Sequence, residues 1–281
     1  MKRAGLPLVA VIAALAAAYF LYAALAPGLG AARTKASEAS YRLEFSPDFK
    51  PLLASRDDLG ISVVIAVDVS GSMADPPASG GKPKYLQAAS ALGRVVDTLE
   101  RIAASAPEGQ AIKVGLLKFN KDVSPLLPLT LLDRQGIARL RGILASPVAL
   151  SPGGSTAIGD ALGRAAEWLS QSGTILRSAI VITDGENVEG ADPSWVLSAI
   201  YGNRNSASTP DYPVATNSIL VSFIGFDIDA GRFAPLAAYG ARVTSAEDQA
   251  ELVRVLGRLL EADITRLEAP GLDSPGAGRA P

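Results

Sequence analysis

The chain has 281 residues, 48% of them apolar, enough for one large domain with a well-buried core plus appendages. Lys and Arg number 26 against 28 Asp and Glu, and no basic block interrupts the body, which argues against a nucleic-acid surface. Histidine and cysteine are both absent, which removes Ser-His-Asp and Cys-His nucleophile systems, His or Cys zinc sites, CxxC redox motifs and disulfides; any metal must be held by oxygen.

After Lys2 and Arg3, residues 6–26 read "LPLVAVIAALAAAYFLYAALA" without a charge. As a helix this run is about 30 Å long, the thickness of a bilayer core. It exceeds the roughly 7–15 apolar residues of a cleaved signal peptide. Pro27 also follows the Ala24-Leu25-Ala26 box, so the expectation is a retained transmembrane anchor. The short basic tail, residues 1–5, favours an amino end in the cytoplasm, which would place the body in the periplasm of a bacterium-like cell as a single-pass inner-membrane protein. Residues 27–58 mix Pro, Gly, Ser and charges and read as a stalk, with "YRLEF" (41–45) as a short additional strand.

From 59 to 266 the periodicity switches repeatedly between strand and helix. "ISVVIAVD" (61–68) is a continuous apolar, β-branched run, the pattern of a strand covered on both faces. Residues 84–105 set Leu86, Ala89, Leu92, Val96, Leu99 and Ala103 on one helical stripe. A strand at 111–119, a shorter extended piece at 123–129 and a helix at 133–145 follow. The loop "SPGGST" (151–156) then opens a helix running to about 171. Further on come a strand at 178–185, a short helix at 193–201, a strand at 217–226 and an edge strand "ARVTS" (241–245). The last helix, 247–264, has capping-box spacing at Ser245 and Asp248 and an apolar stripe of Leu252, Val255, Leu256, Leu259 and Leu260. The Pro- and Gly-rich end, 267–281, reads as a disordered tail.

Alternating strands and helices predict an α/β fold: a doubly wound, mostly parallel sheet with helices on both faces. In such sheets ligands bind beyond the carboxyl ends of the strands, where strand order reverses. Asp68-x-Ser70-x-Ser72 lies at one such end, Asp184 of "TDGE" at another, and Thr156 at a helix start. Each piece alone has a plainer reading: DxSxS as a capping turn, TDG as a turn, PGGST as a flexible loop. Together and in this order they make a set of hard oxygen ligands suited to Mg²⁺, with Mn²⁺ and Ca²⁺ as alternatives.

This order resembles the von Willebrand factor type A (VWA) domain and its metal-ion-dependent adhesion site over residues 59–266. The resemblance implies one antiparallel edge strand in the sheet. It also implies direct metal ligation by Ser70, Ser72 and Thr156, with Asp68 and Asp184 acting largely through water. The open coordination position would take a carboxylate from a partner protein. The expected function is therefore a membrane-anchored, divalent-metal-dependent protein-binding module, without catalysis, nucleic acid or a small-molecule substrate. Bacterial proteins resembling this one often accompany MoxR-type ATPases, which adds the alternative of an assembly factor for an exported metalloenzyme of methanol dehydrogenase type. A second alternative is an Mg²⁺-dependent hydrolase with Glu186 as base.

Other segments carry less. "GLGAAR" (28–33) lacks the last glycine of a dinucleotide fingerprint, and "ASGGKP" lacks the spacing and hydroxyl of a phosphate loop. Asp227 and Asp229 read as solvated loop carboxylates, and Trp168 and Trp195 as packing residues. The loop 74–83 is expected to shape the rim of the site, while 201–217 is a long polar insertion.

Overall fold

The computed structural model describes residues 60–106, 110–201 and 219–268. The expected anchor, stalk and "YRLEF" strand, nearly all of the 201–217 insertion and all of the expected tail after residue 268 lie outside them, while 267 and 268 are the last residues of a helix. Among the described residues no helix is long and apolar enough to cross a membrane.

Six strands form one sheet: β1 (Ile61–Asp68), β2 (Ile112–Phe119), β3 (Val123–Leu131), β4 (Leu176–Thr183), β5 (Ile219–Phe226) and β6 (Arg242–Ala246). Their spatial order is β3-β2-β1-β4-β5-β6. All neighbouring pairs are parallel except β2 with β3, so the antiparallel edge strand is present as expected. β1 is central and buried along its whole length, as its unbroken apolar run requires.

β3 is longer than the 123–129 expected. Pro125 and Pro128 mask its alternation, and neither can donate to a ladder. The edge position and register shifts opposite Val114, Leu116 and Leu117 accommodate them.

The longer helices are α1 (Lys84–Ser105), α2 (Arg134–Leu144), α3 (Ile158–Ser170), α4 (Pro193–Tyr201) and α6 (Gln249–Glu268), with the single turn α5 (Ala234–Ala237) before β6. On one face of the sheet, Val63, Ile65 and Val67 of β1 share a core with Ala88, Ala91, Leu92, Val95 and Leu99 of α1 and Leu252, Val255, Leu256 and Leu260 of α6. α3 packs on β1 and β4 and against α4, and its Ile158, Leu162, Ala165 and Leu169 are buried. At about 1.5–3 kcal/mol for each large apolar side chain removed from water, these two layers dominate the stability of the body.

Two local expectations shift. The buried stripe of α1 is turned slightly: Ala88, Ala91 and Val95 are buried, and Leu86 and Ala89 only half-buried. α1 must meet both α2 and α6, and small residues at the centre of the stripe permit that approach. The capping box of α6 lies three residues later than expected. Asp248 Oδ1 accepts from the Glu251 N–H at 2.8 Å, and Glu251 Oε2 reaches back to the Glu247 N–H at 3.0 Å. Ser245 belongs instead to β6.

Candidate metal centre

Strand order reverses between β1 and β4, and parallel pairing of Val67 with Ile182 brings Asp68 level with Thr183. That register puts Asp68 at the end of β1 and Asp184 one step past the end of β4, side by side at the switch point.

Asp68 is fully buried. Its Oδ1 accepts from the Ser70 N–H at 2.7 Å and its Oδ2 from the Thr183 hydroxyl at 2.6 Å. Burial nevertheless pushes its carboxyl up from 3.8 to about 6. The bonds from Thr183 and Ser70 oppose the rise, and the nearby Asp184 charge adds to it.

A single 3₁₀ turn, Gly71–Ala74, follows, with Ser70 buried at its N-cap and Ser72 exposed within it. The Ser70 and Ser72 hydroxyls lie 3.2 Å apart, and the Ser72 hydroxyl donates to Asp184 Oδ1 at 2.8 Å. Asp68, at the end of β1, and the two serines after it thus lie at the same edge as Asp184, to which Ser70 and Ser72 are joined by a chain of hydroxyl contacts.

Thr156 arrives from the opposite side of the switch point. Gly153 N–H donates to Val69 O at 2.8 Å and Gly71 N–H to Gly154 O at 2.9 Å, stitching the two loops together. Gly154 makes the reversal with φ +84°, a conformation that side chains avoid; a Cβ there would also stand 3.4 Å from Asn120 Nδ2. Thr156 sits two residues before α3 instead of opening it. Its hydroxyl stands 3.8 Å from where a Cβ on Gly185 would be, beside Asp184, and its carbonyl accepts from the Val188 and Glu189 N–H groups.

All five expected residues are therefore brought to one edge, from three stretches that are far apart in sequence, 68–72, 156 and 184. Among the described residues no group of three or more His, Cys, Asp or Glu side chains is placed to hold a metal. The donor set is instead two carboxylates with three hydroxyls, all hard oxygen. Asp184 Oδ2 is buried and accepts no aligned hydrogen bond among the described residues.

What does meet that oxygen is a lysine. Lys84 Nζ lies 2.7 Å from Asp184 Oδ2 in an ion-pair contact and 3.7 Å from Asp227 Oδ2. Sequence reasoning missed Lys84. Its one signal was a cation in the first turn of a helix, where the macrodipole disfavours it. Asp227 is also no solvated carboxylate: its φ is +57°, its N–H donates to Ala246 O at 2.8 Å, and its Oδ1 accepts from the Ala78 N–H at 2.9 Å. Loop 74–83 is thereby pinned beside the site, and Ser79 adds a bond to Glu247 O. Asp229 is spent on a local turn, accepting from the Gly231 N–H at 2.7 Å. Farther out on the rim, Glu186 pairs with Arg232 and Ser155 donates to Glu189.

An open α/β sheet with an oxygen-lined cluster at its switch point defines a class, and the comparisons say which. Residues 63–186, less than half of the chain, match the family model of the von Willebrand factor type A domain. Solved structures with a similar fold include a von Willebrand factor type A protein from Catenulispora acidiphila (TM-score 0.55, 19% identity, 73% of this chain and 43% of that one). This chain therefore spans less than half of that structure's length. A second is a conserved hypothetical protein, BatB, from Bacteroides thetaiotaomicron (TM-score 0.51, 23% identity, 74% and 99%). A third is proximal thread matrix protein 1 from the mussel byssus, solved with a zinc-occupied adhesion-site motif (TM-score 0.51, 17% identity, 74% and 48%). At these identities the likeness is one of fold. No curated protein matches the chain.

Proposed function

We propose that this VWA domain is a divalent-cation-dependent protein-binding module, tethered to a membrane by residues 6–26 and facing the periplasm. The observation that carries the reading is the oxygen cluster, in which Ser70, Ser72 and Asp184 are linked in one hydrogen-bonded chain at the switch point beside the buried Asp68. Ser70, Ser72 and Thr156 would hold the ion, Mg²⁺ in the first instance, with Asp68 and Asp184 supplying the compensating charge. A bound divalent ion supplies an electrophilic position for an anionic oxygen from outside, and a carboxylate of a partner protein is the ligand of that chemistry.

The remaining residues serve this task by holding the donors still. Thr183 and the Ser70 N–H orient Asp68, the Gly71–Gly154 bond sets the spacing of the two loops, and Asn120 clamps Gly153 through a 2.6 Å bond to its carbonyl. The domain does no chemistry of its own in this reading: Glu186, the side chain considered as a base, is already ion-paired to Arg232. Service as an assembly factor for an exported metalloenzyme is one setting in which such a module would work, and the captured partner would name it.

The test is partner capture from an extract of the source cells, with the full chain as bait in Mg²⁺ or in EDTA, beside a bait carrying Ser70→Ala and Ser72→Ala. The reading expects a protein retained only by the intact bait with metal. Capture that survives both EDTA and the double substitution would place the contact elsewhere.

A further inference from the structure

Lys84 is 8% exposed, and a lysine is seldom so buried without a purpose for its charge. It stands at the first residue of α1 behind Pro83, at the helix end where a cation is least favoured. Two carboxylates from different strands compensate it: Asp184 beyond β4 at 2.7 Å and Asp227 beyond β5 at 3.7 Å. The two acceptors differ in what else they can do. Asp184 Oδ1 is bound to Ser72 in the oxygen cluster, so Asp184 belongs to the cation site. Asp227 lies outside it, fixed by its own N–H on Ala246 and by Ala78 on its Oδ1, with Oδ2 left facing the ammonium.

We infer that Lys84 is a resident counter-ion of the metal centre, which neutralises Asp184 when no divalent ion is bound and is taken over by Asp227 when one is. The inference rests on the metal-binding reading above and specifies how the site is regulated. An ammonium and a divalent cation on the same carboxylate repel each other. Binding must therefore displace Lys84 from Asp184, and Asp227 offers an acceptor already within reach. Affinity for the ion is then set lower than a site with two free carboxylates would give, so the protein is metal-loaded only where the ion is plentiful. Because Asp227 also holds Ala78, the exchange occurs against loop 74–83 on the rim that a partner would touch.

The experiment is Mn²⁺ titration of the full chain by calorimetry, with thermal unfolding in EDTA as a second readout, for wild type, Lys84→Met, Asp227→Asn and the double variant. Lys84→Met is expected to bind Mn²⁺ about tenfold more tightly and to unfold at lower temperature in EDTA, where Asp184 has lost its counter-charge. Asp227→Asn retains the acceptor for Ala78 and is expected to weaken binding about three- to tenfold, an effect that disappears in the Lys84→Met background. Wild-type binding with Lys84→Met unchanged or weaker, or an Asp227→Asn effect that persists without Lys84, would overturn the counter-ion role while leaving the metal reading intact. Binding by Lys84→Met but not by wild type would support the displacement and count against the metal reading of the native chain. No binding by either refutes both.

Discussion

Replacing Asp68 by Asn should have opposite effects on the two states of the site. In the metal-free protein the carboxyl is fully buried, and burial raises it from 3.8 to about 6. At roughly 1.4 kcal/mol per tenfold, keeping it ionised costs the metal-free fold about 3 kcal/mol above pH 6. Because the folded value is raised, the associated stability is fully present below pH 3.8 and is lost as pH rises through about 6.

Asparagine has the same shape and no charge. Its oxygen can accept from the Ser70 N–H and its amide can donate to Thr183 Oγ1. The Thr183 proton can then turn to Gly185 O, 3.2 Å away. The value of about 6 already contains the Thr183 and Ser70 bonds, so what returns about 1–2 kcal/mol of the gain is the rearrangement around the amide, with Thr183 turned to the longer contact with Gly185 O. In EDTA at pH 7.5, Asp68→Asn should therefore be about 1–2 kcal/mol more stable than wild type by urea denaturation, and the advantage should vanish by pH 4.5. With saturating Mg²⁺ the order should invert, since only wild type gains from the ion. An Asn variant that is less stable than wild type in EDTA by the same amount at both pH values would refute the buried-charge account.

Gly154→Ala should cost about 1–2 kcal/mol from its left-handed backbone, and it should weaken Mn²⁺ binding because the loop that delivers Thr156 is displaced; denaturation and calorimetry on one preparation check both. Gly159→Ala would place a Cβ 2.1 Å from the Ala191 carbonyl oxygen, backbone that cannot step aside, so a loss of about 2–3 kcal/mol is expected from chemical denaturation. Asp263, 1% exposed, pairs with Arg242 at 2.8 Å and accepts from the Ser178 hydroxyl at 2.7 Å. Arg242→Met should therefore cost about 3 kcal/mol by leaving that carboxylate without its counter-charge, and Asp263→Leu in the same chain should recover most of it. If both single and double variants unfold at the wild-type urea concentration, the pair carries no structural weight.

Much of this protein was legible in its sequence because its signals are local. The β-branched run 61–68, the periodic helices and the punctuating glycines specify alternating elements, and alternation with short connections leaves few arrangements besides a doubly wound sheet. The oxygen side chains could likewise be placed, since a residue at the carboxyl end of a parallel strand has only one edge to reach. The sequence did not reveal which side chains those oxygens meet. Thr183 finds Asp68 through the register of β1 on β4, and register is a property of the assembled sheet. Lys84 finds Asp184 and Asp227 because α1 begins at the corner where β4 and β5 end, although these residues are 100 and 143 positions from it along the chain. A short-range pattern cannot carry such a pairing. Only packing of the helix on the sheet decides that a buried ammonium shares the carboxylates of the site.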